Sequence, residues 1–281
     1  MFINFLIYLF VFLLGLCIGS FLNCVIYRLE QSKTLKGRSF CPCCKHKLSW
    51  KDLFPFFSFI FLGGKCRYCH KKISIQYPVL ELATGALFLI IFNLKFGISN
   101  QFEIVKFLNL ILWFYIVSVL VVVFVYDLKH YLIPDAVLLP AITITGVYRF
   151  VENLAISRWD LAENFKLGVF NPAAISNYLL AIIIAAGFFL IIWFVSGGKW
   201  MGFGDVELAV LMGIILGLPA VLVALFLAFF SGAIIGVILM VFGTKNMKSQ
   251  IPFGPFLVLG TFLSLSFNQQ IISWYTHLFL I

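Results

Sequence analysis

Residues 107–126 read FLNLILWFYIVSVLVVVFVY, and the residue that follows is Asp127. A helix of roughly 20 apolar residues rises about 30 Å, the thickness of a bilayer's hydrocarbon core. This run holds no charge, so it reads as a membrane span that ends on an acid. Working outward, similar clean runs occupy 2–27, 178–195 and 220–242. Shorter or more polar ones occupy 79–94, 132–148, 206–218 and 252–267. The expectation is an all-α polytopic membrane protein of about eight transmembrane helices. After the last span come Asn268-Gln269-Gln270 and a tail with Trp274 and Tyr275, which reads as an interfacial segment. The first run lacks a basic leader and a small-residue cleavage site, so it reads as a span and not as a signal peptide.

Composition agrees. Of 281 residues, 63% are hydrophobic and only 11% charged, with 34 Phe. Soluble domains are about half apolar and a quarter charged. A soluble enzyme, a nucleic-acid-binding module and a disordered chain are thereby excluded. The net charge of +9 has a different origin. Eleven of the 20 basic residues lie between Arg28 and Lys72, and Lys129, Lys199, Lys245 and Lys248 fall on the same side of an alternating topology. The long loop 149–171 lies opposite, with its basic residues balanced by Glu152, Asp160 and Glu163. By the positive-inside rule the first loop is cytosolic and both termini lie outside.

That loop is the one stretch polar enough for a small soluble lobe. It contains two C-x-x-C pairs, Cys41/Cys44 and Cys66/Cys69, 21 residues apart. Such pairs suit a tetrahedral four-thiolate zinc site, and the cytosol disfavours the disulfide alternative. Four reduced, unligated thiols are the competing reading. Cys43 is a fifth candidate ligand, whereas His46 and His70 read as surface groups. Cys17 and Cys24 read as small packing residues of the first span. The chain is therefore divided into a first helix (1–27), a cytosolic Cys-rich lobe (28–78) and a membrane domain (79–281).

Acids at span ends are functional candidates because charge is costly there. Asp127 ends the third span, and Asp205, in Gly202-Phe203-Gly204-Asp205, precedes the sixth on the same side. Gly197, Gly198, Gly202 and Gly204 argue for irregular backbone nearby, which suits an extended peptide. Two neighbouring carboxylates can share a proton, one activating water while the other donates to a carbonyl. Solvation of span ends is the plainer alternative. Asp135 after Pro134 reads as a helix-start acid, and Glu207 as a cavity or cap residue.

Together these motifs resemble the bacterial prepilin peptidases, type IV leader peptidases that also N-methylate their product. Gly19-Ser20-Phe21-Leu22-Asn23 and Tyr27-Arg28-Leu29 resemble the family's first-span signature. The cysteine pairs, Gly63-Gly64-Lys65, Gln76-Tyr77-Pro78 and Glu81-Leu82 follow in order. Asp127 with Ile133-Pro134-Asp135 resembles the first catalytic motif, and Gly202-Phe203-Gly204-Asp205 the G-x-G-D motif shared with presenilin-like membrane proteases. Pro252-Phe253-Gly254-Pro255 with Gly260 completes the set.

The resemblance implies an aspartyl endopeptidase of the bacterial cytoplasmic (inner) membrane, with Asp127 and Asp205 catalytic. It would cleave type IV prepilins and pseudopilins at the cytosolic face after the leader's terminal Gly. S-adenosylmethionine would then methylate the new N-terminal residue, with Gly64 and Lys65, and more weakly Glu81, at the methylation site. Zinc would be structural, and no nucleic acid is implied as a partner. Two departures stand out: Glu207, where many members carry Lys, and the extra Cys43. A peptidase without methylation, and an ion-coupled transporter using the membrane-edge acids, are the alternatives.

Overall fold

The structure is a computed structural model, and it describes residues 2–96, 104–159, 172–243 and 251–279. Among these the regular structure is helical: α1 (Phe2–Glu30), α2 (Phe57–Phe61), α3 (Gln76–Lys95), α4 (Ile104–His130), α5 (Asp135–Trp159), α6 (Pro172–Ser196), α7 (Phe203–Leu216), α8 (Ala220–Val241) and α9 (Gly254–Phe279). A single 3-10 turn covers Trp50–Leu53. Each of the eight expected apolar segments coincides with one of the long helices or with α7. The chain divides into two compact units, Met1–Val122 and Val123–Ile281, so the division falls within α4.

Six helices among the described residues are long and apolar enough to cross a membrane: those containing Ile3–Glu30, Gln76–Lys95, Lys106–His130, Ile175–Ser196, Ala220–Val241 and Gly254–Leu278. The other two expected spans fall short for different reasons. α5 carries Pro140 together with Arg149 and Glu152, which dilute its apolar face. α7 has 14 residues, and at 1.5 Å per residue it rises only about 21 Å. It packs against α5, α6, α8 and α9, and its interior residues Leu208, Ala209, Leu211 and Met212 are fully buried. An apolar helix surrounded by protein needs no lipid-matching length. The C-terminal segment also departs from expectation. α9 continues through Asn268, Gln269 and Gln270 to Phe279 as one helix, because three polar residues spread around a helix do not break its backbone ladder.

Lipid does not drive helices together, so close packing must. In the first unit α1 and α3 cross where Gly15 and Gly19 present a G-x-x-x-G surface. A Cβ on Gly19 would sit 2.7 Å from the Glu81 Cα, and one on Gly15 would sit 2.7 Å from the Gly85 Cα. Asn23, one turn further, donates through Nδ2 to the Tyr77 carbonyl at 3.1 Å. In the second unit Asn177, near the start of α6, is joined to Leu218, just past the end of α7. Its Oδ1 accepts the Leu218 N–H at 2.7 Å, and its Nδ2 donates to the Leu218 carbonyl at 3.1 Å.

Gly19→Leu should force α1 from α3 and cost about 1–3 kcal/mol or more. Gly146→Ala, whose Cβ would meet nothing within 4 Å, is the matched control. Thermal melting of detergent-solubilised protein should fall by several degrees for the first variant only. Equal melting of the two would refute the close-approach account.

Candidate active site and metal centre

The four expected sulfur ligands are brought together. The Sγ atoms of Cys41, Cys44, Cys66 and Cys69 all lie within 4.8 Å of one another, with Cys41 and Cys69 at 3.9 Å. A tetrahedron of Zn–S bonds near 2.3 Å has S···S edges of about 3.8 Å, so the cluster fits such an ion with little contraction. Two matching turns build it. Cys41 N–H donates to the His46 carbonyl and Lys45 N–H to the Cys41 carbonyl, both at 2.9 Å. In the second turn Cys66 N–H donates to Lys71 and His70 N–H to Cys66, again at 2.9 Å. Single antiparallel bridges close each turn, Phe40 with Lys47 and Lys65 with Lys72. Lys45 (φ 58°) and His70 (φ 56°) both take the left-handed conformation that the turn demands.

The electrostatics favour a cation. Burial works against the Cys41 thiolate, but the N–H groups of Cys44 and Cys43 and the neighbouring thiols outweigh it and bring its pKa to about 7. At Cys69 the Lys71 N–H is outweighed by burial and by the sulfurs of Cys66, Cys44 and Cys41, which push it up to about 11. Four sulfurs this crowded ionise together only around a positive ion. Cys43 is exposed and stands outside the cluster, so the extra cysteine leaves the four-sulfur set as expected.

Asp52 was not singled out in the sequence, yet it organises the second turn. Its carboxylate accepts the Arg67 Nε–H at 2.7 Å and the Tyr68 hydroxyl at 3.1 Å, both from the residues inside Cys66-x-x-Cys69. It also accepts the Ser49 N–H at 3.0 Å and the Ser49 hydroxyl at 2.8 Å. Burial opposes its charge, but these donors, Arg67 first, bring its pKa down to about 2. A depressed acid stabilises the fold above its unfolded pKa and loses that contribution as pH falls towards about 2. The contribution is therefore complete at neutral pH, though Arg67 is half-exposed and screened. His46 and Tyr68 stack across the two turns with ring centroids 3.7 Å apart, so His46 braces the lobe from outside the four-sulfur set.

The expected methylation residues lie apart. Gly64 (φ +68°) packs against the Phe59 ring of α2, and Lys65 is exposed beside it. Glu81 lies in α3, where Oε2 accepts the Phe56 N–H at 2.7 Å. Phe56 immediately precedes α2. Gly64 and Glu81 therefore address the two ends of one short helix.

In the second unit Asp127 and Asp205 are buried, with 4% and 8% exposure, and lie close enough to interact electrostatically. Asp127 sits in the last turn of α4, and Asp205 in the first turn of α7. The glycine-rich link is irregular at Gly197 and Gly198, where φ is positive, whereas Gly204 is already helical. Ile133 lies between the parts. A Cβ on Gly204 would sit 2.8 Å from the Ile133 Cβ, and one on Gly254 would sit 3.4 Å from its Cδ1. The Gly254 N–H, at the start of α9, donates to Asp127 Oδ2 at 2.9 Å. Asp135 starts α5, as expected for a helix-start acid. Glu207 interacts electrostatically with Asp135.

The chain is similar to known proteins along most of its length. Residues 13–95 match the Bacterial Peptidase A24 N-terminal domain, and residues 114–237 match the Type IV leader peptidase family. The chain is 30% identical to the prepilin leader peptidase/N-methyltransferase of Bacillus subtilis (strain 168), over 94% of this chain and 96% of that protein. Identity to the proteins of that name from Aeromonas salmonicida (strain A449) and Legionella pneumophila is also 30%, over 94% and 95% of this chain and 92% and 94% of theirs. No solved structure matches significantly.

Asp52→Ala would strand Arg67, Tyr68 and the Ser49 N–H. Loss of such supporting bonds typically weakens metal binding about 10–100-fold. Zinc-loaded protein titrated with a chromophoric chelator should show that loss, whereas exposed Lys51→Ala should not. Retention of zinc by Asp52→Ala at the parent's chelator concentration would remove Asp52 from the metal lobe's support. Two matching domains and relatives aligned almost end to end place the chain in the bacterial type IV leader peptidase family.

Proposed function

We propose that this chain cleaves the leader from type IV prepilins and pseudopilins at the cytosolic membrane face, after the leader's terminal Gly, and then N-methylates the new terminus. The observation that carries the peptidase half is the burial of Asp127 and Asp205 within electrostatic reach of each other, with their neighbours Gly204 and Gly254 both packed on Ile133, in a leader-peptidase chain. A carboxylate pair holding one proton between them can take a proton from water while the water oxygen attacks the scissile carbonyl. The shared proton passes to the carbonyl oxygen, giving a tetrahedral diol. Collapse breaks the C–N bond as a carboxyl proton moves to the leaving nitrogen. The acid and base roles belong to the pair and not to either residue alone.

For the lobe, we assign zinc to Cys41, Cys44, Cys66 and Cys69 in a structural role, since four protein thiolates leave no open coordination position. S-adenosylmethionine would supply the methyl group. Gly64 and Lys65, at the exposed end of the second turn, suit contact with a polar cofactor. Glu81 suits it less, because its buried carboxylate is already engaged by Phe56. The reading extends to topology: eight spans in the cytoplasmic membrane, including α5 and the protein-enclosed α7, with residues 28–78 in the cytosol, both termini outside, and residues 79–281 as the peptidase domain.

Asp127→Asn and Asp205→Asn should each lower prepilin cleavage by roughly 10²–10⁴-fold, read by mass spectrometry of the substrate. Cleavage at the parent rate by either variant would end the dyad assignment. Purified protein should carry about one zinc ion per chain; a metal-free protein of unchanged stability would end the zinc assignment. Mature pilin made with the methyl donor present should gain the mass of one methyl group.

A further inference from the structure

The start of α9 presents an unusual donor to the aspartate pair. A helix begins with N–H groups that have no partner in their own helix. Gly254 is the first residue of α9, and its N–H reaches Asp127 Oδ2 at 2.9 Å. Pro252 and Pro255 on either side have no N–H to offer. One oxygen of Asp127 is thus engaged by a main-chain donor that cannot rotate away, while the other oxygen is left for chemistry.

The loop that aims this N–H is itself held. The Phe253 ring lies 5.0 Å from that of Phe229 on α8 and 6.0 Å from that of Phe189 on α6. The Phe253 carbonyl accepts the Phe256 N–H at 3.0 Å and the Leu257 N–H at 3.2 Å, closing the first turn. Residue 254 must also lack a side chain, since a Cβ there would sit 2.6 Å from Asp127 Oδ2 and 3.2 Å from its Cγ. The nearest obstruction is the carboxylate itself, and Ile133 stands at ordinary contact distance.

We propose that Gly254 is a positioning residue of the peptidase reaction: its N–H holds one oxygen of Asp127 and thereby orients the other towards water and Asp205, with Phe253 as the anchor that aims it. This rests on reading Asp127 and Asp205 as the catalytic pair.

The test uses the full chain in detergent with a prepilin substrate. Displacing a catalytic group by a fraction of an ångström to 1 Å can cost about 10²-fold, so Gly254→Ala should lower kcat by roughly that factor and leave KM unchanged. Methylation of an already cleaved pilin should continue, showing that the lobe is folded, and an unchanged KM for the prepilin shows the same for the unit that holds Gly254. Gly254→Ala with Ile133→Ala should recover nothing, because the added methyl group meets Asp127 and not Ile133. Should Gly254→Ala fail to fold, Phe253→Leu decides, with an expected kcat loss of roughly tenfold at constant KM. A parental kcat in Gly254→Ala, rescue by Ile133→Ala, or a parental kcat in Phe253→Leu would each overturn the proposal. Full cleavage by Asp127→Asn would instead defeat the dyad reading on which it rests.

Discussion

A charge within a hydrocarbon layer must find its partners in protein, because no water is there to supply them. The described residues bury four charged side chains, Arg28, Glu81, Asp127 and Asp205. Three of them are satisfied by main chain drawn from another part of the molecule. Arg28 donates to the Thr34 and Gly37 carbonyls, Glu81 accepts from Phe56, and Asp127 accepts from Gly254. Each bond closes a joint: the loop leaving α1, the start of α2, and the start of α9 against the end of α4. Asp205 is the exception in kind. It sits at a helix start, where negative charge is favoured, but it interacts electrostatically with another carboxylate, Asp127. Placing two like charges together where solvation is scarce gives no stability. The arrangement is what the proposed proton-sharing pair would require.

The same absence of a hydrophobic driving force explains how the helices meet. Between lipid-exposed surfaces rich in Phe and Ile, the tight contacts are made by glycine. Gly213 of α7 lies where a Cβ would approach Ile182 of α6, and Gly260 of α9 where it would collide with the Ala224 carbonyl of α8. Ser264 then donates to the Ala220 carbonyl at 2.7 Å, fastening the α8–α9 pair with a hydrogen bond. Backbones held this closely have little freedom to shift. The proposed dyad, drawn from α4 and α7 and braced by the start of α9, would need that rigidity.

Most of this was legible in the sequence because membrane helices and thiolate pairs have strong local signatures. Runs such as 107–126 are explained by length and polarity alone, and Cys41, Cys44, Cys66 and Cys69 by spacing. What escaped depends on contacts between distant segments. Asp52 looks like any solvated acid in a basic loop, and its bonds to Arg67 and Tyr68 exist only once the second turn has folded. Its one local clue was Ser49, three residues earlier, as in a capping pair. Gly254 was visible within Pro252-Phe253-Gly254-Pro255, but nothing local says that its N–H faces residue 127. The uninterrupted α9 was misread for the opposite reason: Asn268-Gln269-Gln270 is a polar signal, and polarity marks where a membrane surface lies without marking where a helix stops.

The cysteine lobe and the helices α1 and α3 of the first unit are joined by a continuous line of contacts, and this gives Glu81 a physical reason to be acidic. Cys66 begins the second turn, and its neighbour Lys65 forms the bridge that closes it. The next residue back, Gly64, donates its N–H to the Phe59 carbonyl at 2.9 Å and packs on the Phe59 ring. Phe59 belongs to α2, and Phe56, before α2, takes the positive-φ conformation of a tight γ-turn (φ 59°, ψ −50°), which is costly for an aromatic residue. The Glu81 carboxylate holds that N–H from within α3, at the level where Gly19 lets α1 approach. A neutral, shorter side chain at 81 could not reach Phe56 with the same charge-assisted bond. The acid is therefore explained by the strained turn it supports. Its effect on methylation would pass through the position of α2 and Gly64, without the carboxylate having to touch the methyl donor.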